Sequence, residues 1–118
     1  SRASHDPRGP RVNGTLLRFY VHENRRHEHR LLYEWLLERA KAMGIGGGSA
    51  LRAIAGFGRH GVLHEEHFFE LAGDVPVLVE FAVSDAEADA LVAMVRDAGI
   101  AIFYMRMPVA FATIQGAR

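Results

Sequence analysis

Hydrophobic positions change period several times along the chain, and each change marks an element. In Thr15-Leu16-Leu17-Arg18-Phe19-Tyr20-Val21-His22, β-branched and aromatic residues dominate and Leu17, Phe19 and Val21 alternate onto one face, which predicts a strand. Leu32, Trp35, Leu36, Ala40 and Met43 then recur at helical spacing, with Arg30, Glu34, Glu38 and Lys41 on the other side. The spacing predicts a helix from about Glu28 to Met43, stopped by Gly44. Gly46-Gly47-Gly48 releases the chain into Ala50 to Gly58, whose length and flanking glycines favour a second strand. Val75 to Val83 is a third, with Val77, Val79, Phe81 and Val83 on one face and Pro76 where an edge or a strand start tolerates it. Ser84 followed three residues later by Glu87 is a capping box, so a second helix starts there. Leu91, Met94, Val95 and Ala98 form its buried stripe, and Gly99 ends it. Ala101 to Met107 is the last strand, extended by the stretch from Pro108 through Phe111 and Ile114.

The order β-α-β-β-α-β is the split βαβ plan, an α+β, ferredoxin-like sandwich in which two helices cover one face of a four-stranded antiparallel sheet. If the covered face bears Phe19, Phe57, Val79 and Met105, the other carries Arg18, Tyr20, Arg52, Ile54, Leu78, Glu80, Tyr104 and Arg106. That mixture is too apolar for open water and too charged for a closed core unless the charges pair, and it suits an interface between copies of the chain. An ordinary wet sheet face with scattered hydrophobes is the bland alternative. Arg18, Arg52 and Arg106 are expected to pair with Glu80 or with helix carboxylates, and Trp35 belongs to the core.

Composition narrows the class. With 118 residues the chain has the length of one domain, and 49% apolar residues with 14 basic against 14 acidic place it among ordinary globular chains. That balance argues against a nucleic-acid track. Without cysteine there is no disulfide, thiolate metal site or thiol nucleophile. No apolar run approaches the roughly 18 to 20 residues of a bilayer span, so membrane insertion is not expected and the cytoplasm is the default location. Residues 1–13, with Arg2, Pro7, Arg8, Gly9, Pro10 and Arg11, read as a disordered, mildly basic tail ahead of a single domain over 14–118.

Ala55-Gly56-Phe57-Gly58-Arg59, followed by Asp74-Val75-Pro76-Val77-Leu78-Val79-Glu80-Phe81, resembles the part of PII signal-transduction proteins in which a GFGR strand end launches a long loop. The chain is more similar still to a small bacterial and archaeal PII-like family known as a domain of unknown function, number 190. Leu16-Leu17-Arg18-Phe19-Tyr20-Val21, Leu32-Tyr33-Glu34, Leu51-Arg52-Ala53-Ile54-Ala55-Gly56-Phe57-Gly58, Leu63-His64 and Val75-Pro76 carry that likeness, from Gly14 to Ile114. The resemblance implies a homotrimer with its sheets turned toward the threefold axis, a small-molecule or nucleotide ligand in the clefts between subunits, and a partner protein contacted through the 59–74 loop. The PII glycine-rich turn before the last strand is absent, since this chain reads Arg96-Asp97-Ala98-Gly99-Ile100 there.

Two groups of residues are candidates for chemistry. Gly56, Phe57, Gly58 and Arg59 could offer backbone amides and a guanidinium to an anion, or could merely turn a strand into a loop. Of seven histidines, His60, His64 and His67 share one segment with Glu65 and Glu66 and could bind zinc, copper or nickel, as in the copper-tolerance relatives of PII. Solvated histidines are the ordinary alternative, and His64-Glu65-Glu66-His67 is one residue short of the zinc-protease spacing. His22, His27 and His29 flank the first helix in the same spirit. No nucleophile elbow, phosphate loop or spaced carboxylate pair points to an enzyme. His22-Glu23-Asn24-Arg25-Arg26 is not the acylphosphatase loop, and no Gly-Phe-Gly-Phe-Val run supports an RNA-stacking sheet.

Overall fold

The computed structural model describes residues 11–56 and 75–116. Its elements, in chain order, are β1 (Val12–His22), β2 (Arg26–His27), β3 (Arg30–Leu31), α1 (Leu32–Ala42), β4 (Ser49–Arg52), β5 (Pro76–Val83), α2 (Asp85–Asp97) and β6 (Phe103–Phe111). The main sheet has the order β4-β5-β1-β6 and every neighbouring pair is antiparallel. This is the expected ferredoxin-like α+β sandwich, with β1 and β5 central and β4 and β6 at the edges.

Alternation on the central strands builds the core. Leu17, Phe19 and Val21 of β1 and Val77, Val79, Phe81 and Val83 of β5 are buried with Leu32, Trp35, Leu36 and Ala40 of α1 and Ala88, Leu91 and Val95 of α2. A fully buried aliphatic or aromatic side chain of this kind contributes about 1.5–3 kcal/mol over an exposed one. Phe19 and Phe81 meet edge to face, ring centroids 6.4 Å apart. Both helices end on a glycine in the left-handed region, Gly44 (φ 91°) and Gly99 (φ 76°), where a side chain would be strained. At the start of α2 the capping box is complete: Glu87 N donates to Ser84 Oγ (3.1 Å) and Ser84 N donates to Glu87 Oε1 (3.0 Å).

Four boundaries or faces differ from the sequence reading. First, α1 begins at Leu32 and not near Glu28, because Glu28 (φ 54°) and His29 (φ 69°) form the two-residue turn of a small hairpin, β2 against β3. Second, β1 starts at Val12, held by β6 through Phe111. Third, β4 stops at Arg52, with Ile54 beyond it almost fully exposed, while the remainder of the expected strand from Phe57 lies outside the described residues.

The fourth difference concerns β6. Phe19 pairs with Tyr104 and Leu17 with Arg106, so Tyr104 and Arg106 stand on the helix side, whereas Phe103, Met105 and Met107 share the opposite face with Tyr20, Arg18 and Leu16. Arg52 likewise pairs with Val77 on the helix side. Both sets of β6 residues contain apolar side chains, so alternation alone does not choose between them. At this edge the helix side is a rim: Tyr104 leans on Phe19 (5.9 Å between centroids) and Arg106 reaches Asp89 of α2 (2.7 Å).

Candidate functional site

The chain on either side of residues 57–74 leaves from one end of the sheet, and that end gathers several charged groups. Antiparallel pairing brings the close of β1, the close of β4, the start of β5 and the start of β6 together there. Gly56 packs on the Pro76 ring, to which an added Cβ would come within 3.5 Å, and Ala53 N donates to Pro76 O (2.9 Å). Beside them Glu23 N donates to Val75 O (3.3 Å), and the Glu23 carboxylate accepts from Arg52 Nε (2.9 Å). Arg25 donates from Nη1 to Ala101 O (2.7 Å), tying the β1–β2 turn to the chain before β6, and burial pushes its guanidinium below its ordinary pKa. Guanidinium groups and open backbone at one end of a sheet can engage an anion.

Of the residues the sequence singled out, Gly56 stands at this end. Phe57, Gly58, Arg59, His60, His64 and His67 lie outside the described residues. Arg25 and Glu23 carry no site signal in the sequence because they sit in a charged run, His22 to Arg30, that reads as solvated, and the partner of Arg25 is 76 positions away. Arg18 pairs with Glu80 and Arg106 with a carboxylate of α2, as anticipated, while Arg52 finds Glu23 instead. Among the described residues no group of three or more His, Asp or Glu side chains could hold a metal, so His22, His27 and His29 do not converge. His27 packs edge-on against Trp35 at 4.6 Å.

The face turned away from the helices is the larger feature. It carries Leu16 and Tyr20 of β1, Leu51 of β4, Leu78 of β5, and Phe103, Met105, Met107, Val109 and Phe111 of β6. Leu51 and Phe103 are 48% and 44% exposed, and Tyr20 lies against Phe103 at 5.3 Å. In its middle Arg18 meets Glu80 from both Nε and Nη2 at 2.6 Å, and donates more weakly to the Tyr20 hydroxyl at 3.5 Å. Those hydrogen bonds, to Tyr20 and to Glu80, raise the arginine's pKa further. No helix among the described residues is long and apolar enough to cross a membrane.

Comparison with known proteins agrees with this architecture. A protein of Thermus thermophilus, provisionally described as a PII-like signaling protein, superposes with a TM-score of 0.59 over 86% of this chain and 91% of its own, at 19% identity, a level that speaks to the fold. A UPF0166 protein of Aquifex aeolicus is 39% identical over 69 residues, 58% of this chain and 66% of its own length. A UPF0166 protein of Methanocaldococcus jannaschii is 30% identical over 69 residues, 58% of this chain and 63% of its own. The aligned part thus spans just under two thirds of these curated relatives. The model of the DUF190 family, described as "Uncharacterized ACR", matches residues 14–106, and the chain belongs to that family.

Proposed function

We propose that this protein is a non-enzymatic, PII-like regulatory subunit of the cytoplasm that assembles as a homotrimer through its uncovered sheet face. In this reading it binds a small anionic ligand, a nucleotide being one candidate, where the end of the sheet bearing Gly56 meets a neighbouring subunit. Gly56, Phe57, Gly58 and Arg59 hold the ligand, and residues 59–74 contact a partner protein. The observation that supports it most is the uncovered face itself: Leu78, Tyr20 and Phe103 on one side of the Arg18–Glu80 pair, Leu16 and Met107 on the other, and Met105 beside it form apolar rows of a kind that monomers rarely leave in water. The likeness to a protein described as a PII-like signaling protein favours the regulatory role, and the gathering of Arg25 and Arg52 at the same end of the sheet as Gly56 favours an anion.

Sedimentation velocity tests the assembly, and a monomer at micromolar concentration would end the reading. Thermal-shift measurements with adenine nucleotides, cyclic dinucleotides and divalent metals test the ligand. A binder present at one hundred times its Kd stabilises the folded state by about 2.7 kcal/mol, and the shift should vanish in Arg59→Ala. A shift with metals alone, lost in a His64→Ala/His67→Ala variant, would instead identify His60, His64 and His67 as ligands.

A further inference from the structure

Among the described strand residues of the uncovered face, Arg18 and Glu80 are the one pair of opposite full charges, set between rows of aliphatic, aromatic and methionine side chains. The pair is already three-quarters sheltered within a single chain, with side-chain exposures of 25% and 22%. Both guanidinium contacts end on Oε2 of the carboxylate, which leaves Oε1 as an acceptor that neither contact uses. Together the two charges cancel, so the described strands of this face carry no net charge to recruit a polyanion or a basic peptide, and their apolar rows match a surface of their own kind. Sealing such a face costs little for its hydrophobic part. It leaves a carboxylate oxygen that must find a donor or remain buried and unsatisfied.

We infer that Arg18–Glu80 sets the register in which copies of this chain dock, admitting the arrangement that brings a donor from the neighbouring subunit to Glu80 Oε1 and rejecting slipped arrangements that bury the pair without one. A single polar device in an apolar interface selects register and stoichiometry in this way, at some expense of affinity. The inference rests on the assembly proposed above and adds what makes it unique.

Sedimentation velocity and mass photometry on wild type, Arg18→Met, Glu80→Leu and the double variant decide it. Each single change strands one charge and should weaken association by about a hundredfold. The double change removes both charges and should restore association while giving a mixture of stoichiometries. Single variants that associate like wild type, or a double variant that gives one wild-type species, would overturn it. If a single variant loses its melting transition, Arg18→Lys and Glu80→Gln take its place, since each keeps the bulk but breaks the two-point contact of the guanidinium with a carboxylate. Unchanged association of both would be equally decisive against the register role. A monomeric wild type is a separate outcome, which removes the assembly itself.

Discussion

Gly48 shows how much one missing carbon can decide. A Cβ at this position would run into the Phe81 ring, at Cε1 and Cδ1, and come within 3.2 Å of Leu37 Cδ2. Phe81 is buried on β5 with its ring edge-on to Phe19, so any retreat of the ring disturbs the core. Gly46 and Gly47, by contrast, face open space and have no positive φ. Gly48→Ala should therefore destabilise the fold by about 1–3 kcal/mol, the range for forcing an extra carbon against a packed side chain, whereas Gly47→Ala should be close to neutral. Chemical denaturation of the two variants side by side checks this, and equal midpoints would show that the ring yields freely. The sequence marks all three glycines alike as a release from the helix. Only the packing of a side chain from a distant strand separates them.

At the scale of elements, what was legible depended on whether the signal was local. α2 begins where Ser84 and Glu87 say it should, because a capping box is made by residues within one turn of each other. α1 has no such cap: Leu31 precedes it and offers no side-chain bond. Arg30 and Glu38, which pair in the structure, looked like the polar side of a longer helix, yet the chain before Leu32 turns back as a hairpin. That hairpin places Glu28 and His29 at the two positions of positive φ where Asn-Gly is normally preferred. A non-glycine residue in this region costs about 1–2 kcal/mol, so Glu28→Asn/His29→Gly should raise stability by about 1 kcal/mol. A fall in melting temperature would mean that these side chains stabilise the turn in a way their backbone angles do not suggest. The same division governs the candidate site. Gly56 is singled out by its motif, while Arg25 and Glu23 join the candidate site only through pairings across the sheet.

For the whole molecule the consequential difference is which side of β6 faces the core. Periodicity established that Met105 and Met107 alternate with Tyr104 and Arg106, but both sets are amphipathic enough to line a core, and register with β1 is set by distant residues. The structure turns the methionines away from the helices, which makes the uncovered face more apolar than the sequence implied and takes two charges, Arg52 and Arg106, off it. A matched pair of variants exploits this. Met107→Glu places a carboxylate beside Leu16 on that face. In a lone subunit water can still reach the new charge, so the fold should lose little. In an assembly sealed by this face the charge is desolvated, and breaking or preventing burial of such a group is worth several kcal/mol. Arg106→Glu, one residue earlier, breaks an exposed pair with Asp89 worth at most about 1 kcal/mol and leaves the face untouched. Met107→Glu should sediment as a folded monomer with an unchanged circular dichroism spectrum, and Arg106→Glu should keep the wild-type size. The reverse result would return Met107 to the helix side. Two variants of wild-type size would mean that copies of this chain do not meet on the sheet at all.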